Sequence, residues 1–327
     1  MPERVLVTGA SGFIGGALCR PLAQRGQRVR AFHRPTSSLG LLTGLPVERA
    51  IGDILDPSSL GAAMQGVDTV LHTAAQSAYW RRPQDVVRSA VEGTRNVVDA
   101  ARRCGVRRLV LTSSLAAMGL PAPGELLTEA NTFNLSPNAF PYGYAKHQSE
   151  IEALRVAGDE LEVVIVNPSI VLGQGDIHQI SGSLVVEAAR GRVFFWVEGG
   201  ANFVHIADVV EGHLAALQRG RVGERYILGG ENLGYHQVFE TLAQITGRRP
   251  PRLKLPGGMI PLAAWVIDLI RRLVPLPLNG SQLRLSHAFL YCDVSKARSE
   301  LGLGEPRPFR QAAQEAYEWY RAQGVIP

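Results

Sequence analysis

At 327 residues, with 46% hydrophobic and 19% charged side chains, the chain can bury a large core in two lobes or in one domain with an insertion. A formal charge of +5 and a pI of about 9.3 raise the question of nucleic acid. The arginines, however, stand in scattered pairs without a long basic run, which favours phosphate-bearing small ligands over nucleic acid. Cys19, Cys104 and Cys292 are odd in number and far apart, against a disulfide framework or metal site and in favour of a reducing, cytoplasmic setting.

"MPER" runs straight into the strand-like "VLVTGA", leaving no room for a signal peptide. "RVLVTG" reads as a strand, "FIGGALCRPLAQRG" as a helix, and "RVRAFHR" and "VERAIGD" as further strands. "SSLGAAMQG" (helix), "DTVLHTAA" (strand), "VVRSAVEGTRNVVDAARRCG" (helix), "RRLVLTSS" (strand), "KHQSEIEALRVAG" (helix) and "LEVVIVNPS" (strand) follow. Short apolar runs separated by amphipathic helices predict an α/β fold: a Rossmann-type, doubly wound parallel sheet covered on both faces. Past Pro168 the rhythm breaks into Gly- and Pro-rich loops, and "RYILGGEN" reads as a strand followed by turn residues. We expect a dinucleotide-binding domain over 1–168, with 202–228 returning to it. A smaller substrate-binding lobe over 169–201 and 229–327 would close over the carboxyl ends of the sheet. The apolar segment "GGMIPLAAWVIDLIRRLVPLPL" is too short and too interrupted to span a bilayer. It reads as a core or lid helix, or as one lying shallowly on a membrane.

"VLVTGASGFIGGAL" sets Gly9, Gly12 and Gly15 between the first strand and the first helix. Glycines there permit a tight turn and close approach of a pyrophosphate, whose charge the helix N-terminus favours. The end of the second strand selects the cofactor: an acid would bind the ribose hydroxyls of NAD, and an arginine the 2′-phosphate of NADP. Here "AFHRPTSS" offers Arg34 and no carboxylate, so NADP(H) is preferred to NAD(H). Asp53, with Ile54 beside it, is placed to meet the adenine edge or to cap the helix near Pro57, a task that suits Asp56 better.

In "FPYGYAKHQSE", Tyr142 and Lys146 share one helical face, with Tyr144 near the opposite side as a packing residue. An ammonium beside a phenol favours the phenolate and lowers the tyrosine pKa toward working pH, which suits alcohol–carbonyl interconversion. Lysine could also hold the nicotinamide ribose. "LVLTSSLAAMG" puts Ser113 and Ser114 at the rim of a buried strand, where a hydroxyl can hydrogen-bond a substrate oxygen.

Taken in order, "TGASGFIG", "HTAA", "VEGTRNVVDAA", "TSSLAAMG", "YGYAK", "VIVNPSIVLGQGD" and "NFVHIADVVEGHL" closely resemble the extended short-chain dehydrogenase/reductases. The resemblance leans to the dihydroflavonol-reductase-like and 3β-hydroxysteroid-dehydrogenase-like branch, which includes bacterial hopanoid-associated sugar epimerase-like proteins. It implies Tyr142 as acid/base, Lys146 as its partner and Ser114 as hydroxyl donor. Thr8, Gly9, Ser11, Gly12, Phe13, Ile14 and Gly15 would cradle the pyrophosphate. Ala74 and Ala75 would line the cofactor, with Asn167, Pro168 and Ser169 approaching its nicotinamide end. His205 and Asp208 would be structural, and a homodimer through a helix bundle is implied. One position departs from the pattern: Ala90 stands where many relatives carry an asparagine of a proton relay.

Tyr79, Trp80 and Phe195 are candidate walls of an apolar substrate pocket, although "FFW" (Phe194, Phe195, Trp196) could equally pack in the core. The reading is an oxidoreductase interconverting a carbonyl and a secondary alcohol on a mainly apolar small molecule. Two alternatives stay open. A nucleotide-sugar epimerase/dehydratase with tightly bound NAD(P) would draw on Arg190, Arg192, Arg284 and His287 for a second diphosphate. A non-catalytic dinucleotide-binding regulator would have no need of both Tyr142 and Lys146.

Overall fold

The computed structural model describes residues 2–75, 83–270 and 280–326. In chain order the first half is β1 (Arg4–Thr8), α1 (Phe13–Gln24), β2 (Arg28–His33), β3 (Glu48–Ile51), α2 (Pro57–Met64), β4 (Thr69–His72), α3 (Pro83–Arg103), β5 (Arg108–Thr112), α4 (Pro141–Leu154) and β6 (Glu162–Pro168). The second half is β7 (Ile170–Leu172), α5 (Ser183–Ala189), β8 (Phe195–Val197), β9 (Gly200–His205), α6 (Ile206–Arg219), β10 (Arg225–Leu228), β11 (Glu231–Gly234), α7 (Tyr235–Thr246), β12 (Leu253–Leu255), α8 (Ile260–Ile270), α9 (Gly280–Leu285), β13 (Phe289–Leu290), α10 (Ser295–Leu301) and α11 (Phe309–Ala322).

Seven parallel strands form one sheet in the order β10-β6-β5-β4-β1-β2-β3, and the winding direction reverses between β1 and β4. Strand periodicity divides the core between the two faces. Val5 and Val7 of β1 pack with α1 and α6, and Leu6 packs with α2 and α3. Asp56 caps α2 by accepting from the Ser58 amide at 3.0 Å, while Asp53 accepts from the Leu55 amide at 2.9 Å. Ile54, one of the expected cofactor contacts, is instead buried against this second core.

A smaller sheet, β11-β9-β13 with β7 also on β9, packs with α5, α7 and α11, while β8 and β12 pair separately beside α8 and α9, and α10 joins the core of the large sheet. The expected return to the large sheet at 202 begins later, at α6, because Asn202 and Phe203 belong to β9 and pair with β11. Glu231 and Asn232, the end of "RYILGGEN" and read there as turn residues, instead open β11 for the same reason. His205 caps α6 by accepting from the Ala207 amide at 3.0 Å, and Asp208 pairs with Arg307. Among the described residues no helix is long and apolar enough to cross a membrane.

Candidate active site

At the switch point β1 hands the chain to α1 through the glycine turn. A Cβ on Gly15 would sit 2.3 Å from the Gly9 carbonyl oxygen and 2.6 Å from Thr73 Oγ1, so a side chain there would wedge helix from strand. Thr8, expected in the cradle, is fully buried, and its carbonyl accepts from the Thr73 hydroxyl at 2.7 Å. Its buried hydroxyl contacts His72 Nδ1 at 2.7 Å and accepts from the Ala74 amide at 3.3 Å. His72 reaches Thr94 on its other side and is fully enclosed, so burial drags its pKa from 6.5 down to about 3, with the nearby Lys146 charge adding to the effect. The imidazole under the glycine turn is therefore neutral.

Two cavities meet beyond this turn. One, of about 210 Å³, is a trough walled by Gly9, Gly12, Phe13, Ile14, Gly15, Ala75, Pro168 and Ser169, and it ends at Ser114, Tyr142 and Lys146. The other, of about 380 Å³, shares Ser114, Tyr142 and Ser169. Its other walls include Leu115, Leu127, Phe140, Ile170, Leu184, Phe203, Tyr235 and Leu290. Among the described residues it has no arginine or lysine in its lining. The trough fits an elongated dinucleotide. Its glycine wall owes its shape to tight packing, since a Cβ on Gly9 or Gly15 would strike neighbouring protein atoms, and Ser169 Oγ, buried where the cavities join, has no hydrogen-bond partner among the described residues.

Tyr142 and Lys146 reach the junction because α4 begins at Pro141, whose fixed φ suits a first helical turn. Between the two tyrosines, Gly143 lets α4 touch the turn after β5: a Cβ there would lie 2.6 Å from the Ala116 carbonyl oxygen. Tyr142 and Ser114 share a hydrogen bond, whereas Tyr144 packs beside Phe133, ring centroids 6.1 Å apart. The two serines diverge. Ser114 borders both cavities and accepts from the Ala116 amide at 3.2 Å, while the Ser113 hydroxyl donates to buried Glu150.

The electrostatics differ from the sequence expectation. Burial raises Tyr142 above its ordinary 10, and the bond with Ser114 pulls the other way. The Lys146 ammonium donates to the Thr112 carbonyl at 2.8 Å, and burial lowers its pKa from 10.5 to about 8 against the opposing pull of Glu150. Desolvation thus sets the direction for the phenol, and the bond with Ser114, in place of the expected lysine, is what opposes it.

Other expected positions fall elsewhere. Asn167 is fully buried with its amide turned away from the trough, donating to Glu150 at 2.6 Å and to the Ser114 carbonyl at 3.0 Å. Phe195 is half-buried and packs against Ile260, Ala264 and Leu283 in a separate cluster, because β8 pairs with β12, so it is not a cavity wall. Tyr79 and Trp80 lie outside the described residues. Arg34 is exposed just past the end of β2, and Asp53 and Ser11 are half-buried. None of Arg190, Arg192, Arg284 and His287 lines either cavity. Arg190 bonds the Val325 carbonyl, Arg284 faces Asp268 at 3.7 Å, and His287 contacts the Glu198 carbonyl. Ala90 sits in an apolar seam with Val86 and Ala145, against which Tyr142 packs.

Sequence reasoning missed Asp176, Glu150 and Arg225. Asp176, from "GQGD", borders the trough and gathers the amides of Ile180, Ser181 and Gly182 at 2.9–3.1 Å, shaping the loop over both cavities. Its signal was a lone acid at the end of a glycine loop. Glu150, one helical turn beyond Lys146, was legible in the same way.

A glycine cradle at the switch point of a doubly wound sheet, ending on a serine, a tyrosine and a lysine, defines an NAD(P)-dependent enzyme of the extended short-chain dehydrogenase/reductase class. Residues 5–229 match the NAD dependent epimerase/dehydratase family, and the chain belongs to it. It is 37% identical over 327 residues to sterol demethylase protein B of Methylococcus capsulatus, covering 98% of this chain and 99% of that protein. It is 29% identical over 350 residues to 3 beta-hydroxysteroid dehydrogenase/Delta 5→4-isomerase of Mycobacterium tuberculosis, covering 97% and 90%. The solved structure of PA4631, a nucleoside-diphosphate-sugar epimerase from Pseudomonas aeruginosa, superposes with a TM-score of 0.83 at 27% identity over 99% of each chain.

Proposed function

We propose that this oxidoreductase uses NADP(H) to interconvert a carbonyl and a secondary alcohol on a mainly apolar small molecule. The observation that carries the reading is the 380 Å³ cavity, apolar over most of its wall and opening onto Ser114 and Tyr142. A bound nicotinamide would supply or accept the hydride. In the reducing direction the substrate oxygen sits between the Ser114 hydroxyl and the Tyr142 phenol, so developing negative charge is met by two donors. Tyr142 then gives its proton to that oxygen, and takes it back in the reverse direction. A phenol held above its ordinary pKa suits the acid role, since it is protonated at neutral pH. Lys146, anchored on the Thr112 carbonyl, holds a cation at the trough end, where ribose hydroxyls would lie and where phenolate charge is compensated. Exposed Arg34 at the end of β2 supports the preference for a 2′-phosphate. The relatives named for steroid and sterol chemistry agree with an apolar substrate.

The test is a panel assay following NADPH absorbance with aromatic ketones, steroid ketones and UDP-sugars. Steady consumption with a ketone is expected. Turnover of a sugar nucleotide without net consumption would replace this reading with the epimerase, and no turnover of any substrate despite tight NADPH binding would favour the regulator.

A further inference from the structure

One surface is left unexplained by this chemistry. In α8, Ile260 and Ala264 turn inward against Val197 and Leu283. On the outward side Leu262 and Trp265 are each 60% exposed, and Val266, Leu269 and Ile270, with Met259 just before the helix, are also open to solvent. An apolar surface of this extent along one short helix exceeds what a solvated face needs.

The chain that leads into it is basic. The chain entering the helix carries exposed Arg248, Arg249, Arg252 and Lys254. The only acid between residues 247 and 270 is Asp268, which faces Arg284 at 3.7 Å. Lys254 pairs with Glu198 at 2.7 Å, so Arg249 and Arg252 are the cations we assign to a partner. The helix has 11 residues. At about 1.5 Å per residue it is roughly half the length of a bilayer's hydrocarbon core, so it can lie on a membrane but cannot cross one. The patch also adjoins the cavity: Tyr235 belongs both to the cluster that seats α8 and to the cavity wall, and Gln282 of α9 lines that wall too.

We infer that α8 docks the enzyme on an anionic membrane surface, with its apolar face in the acyl boundary and Arg249 and Arg252 on the headgroups. Apolar area supplies the insertion, cations supply attraction to acidic lipid, and tryptophan favours the interface. A second copy of this chain is a poorer occupant, because a two-fold contact on this face would bring basic segments together. The docking stands on the surface alone. The corollary that substrate enters the cavity from the bilayer rests on the apolar-carbonyl reading.

The experiment uses the full chain and needs no turnover. Sedimentation is measured with vesicles of phosphatidylcholine containing about one-third phosphatidylglycerol, and with phosphatidylcholine alone, alongside the Leu262→Asp/Trp265→Asp variant and an Arg249→Gln/Arg252→Gln variant. The wild type should pellet with acidic vesicles, less so as salt rises. The apolar-face variant should lose at least about tenfold in affinity with unchanged circular dichroism and melting, since both side chains are exposed. The Arg pair variant should lose the preference for acidic lipid. A chain that stays in the supernatant overturns the inference, as does equal pelleting of wild type and apolar-face variant. So does a dimer by light scattering that this variant converts to monomer, which would give the face to a second copy. Loss of membrane binding alone would leave the carbonyl chemistry intact, and failure of the ketone assay would leave the docking intact.

Discussion

Arg225, at the start of β10, places Nη1 3.1 Å from Oε2 of buried Glu150 on α4, while the other Glu150 oxygen takes the Ser113 hydroxyl and the Asn167 amide. The same guanidinium also holds the carbonyls of Glu129 and Asn131, in the loop between β5 and α4. One ion pair therefore ties the strand behind Ser114, the helix of Tyr142 and Lys146, and the loop that brings Leu127 and Phe140 to the cavity. Removing one partner of such a pair leaves a buried charge and costs about 3–5 kcal/mol. Glu150→Gln should lower the melting temperature. It should also move the pH profile of kcat/KM to lower pH, because Glu150 now opposes the depression of Lys146. A melting change with an unmoved pH profile would reduce Glu150 to a purely structural residue.

Lys146 is held at about 8 in the folded chain against an ordinary 10.5. Below pH 8 both folded and unfolded chains carry the proton, and the folded one bears the full burial penalty. Between 8 and 10.5 the unfolded chain binds more protons, so stability rises with pH in that window. Lys146→Met should be inactive yet more stable than wild type at pH 7, by about 1–3 kcal/mol, with the advantage shrinking as pH climbs through the window. Urea midpoints at pH 7 and 9.5 measure this directly, and a variant that is less stable at pH 7 would refute it.

His72 and His213 respond in the opposite pH range. Burial lowers them to about 3 and about 4, from 6.5. His213 is held neutral with Nδ1–H on the Val209 carbonyl at 2.7 Å, leaving Nε2 to accept from Thr112 at 2.8 Å. As pH falls below 6.5 the unfolded chain takes up protons that the folded one refuses, so stability is lost toward pH 4, by roughly one proton per histidine. His72→Asn/His213→Asn should flatten the dependence of stability on pH between 6.5 and 4.5. An unchanged slope would mean that surface carboxylates carry the acid sensitivity.

Tyr142→Phe removes the proton donor while keeping the ring against Val86, Ala90 and Ala145. We expect kcat to fall by about 10²–10⁴-fold, with NADPH affinity by fluorescence nearly unchanged. Residual turnover near wild type would remove the phenol from the mechanism.

Arg34→Asp should weaken NADPH by about 2–3 kcal/mol, the scale of a charge-assisted phosphate contact. NADH should bind nearly as before or better. Equal losses for the two cofactors, read by titration, would take Arg34 off the 2′-phosphate.

What the sequence disclosed is set by range. Gly15, Tyr142 and Lys146 lie in short motifs whose spacing is itself the geometry, while the choice of Ser114 over Ser113 came from the family resemblance, so the trough and its end were legible before any fold was known. Arg225 meets Glu150 across 75 positions, and no local pattern records that contact. Asn167 was misjudged because a residue at a strand's carboxyl end looks like rim, yet the pleat turns its amide inward. "FFW" was read as pocket wall or core and is neither: Phe194 is 73% exposed and Phe195 and Trp196 are half-buried, because β8 pairs with β12 in a two-stranded sheet of its own. The direction of the Tyr142 shift needed burial, which helical spacing does not encode.

Ala90 has one more consequence. With Val86 and Ala145 it seals the back of Tyr142 with methyl groups, where a relay would run through a polar side chain and water. We expect a proton on the phenol to exchange with bulk solvent through the two cavities that Tyr142 lines, and a seated ligand to slow that exchange. Isotope placed on the substrate hydroxyl should therefore stay with the complex for the lifetime of its occupancy. On that expectation ligand release is the step that resets the acid, as an airlock opens one door only after the other has shut.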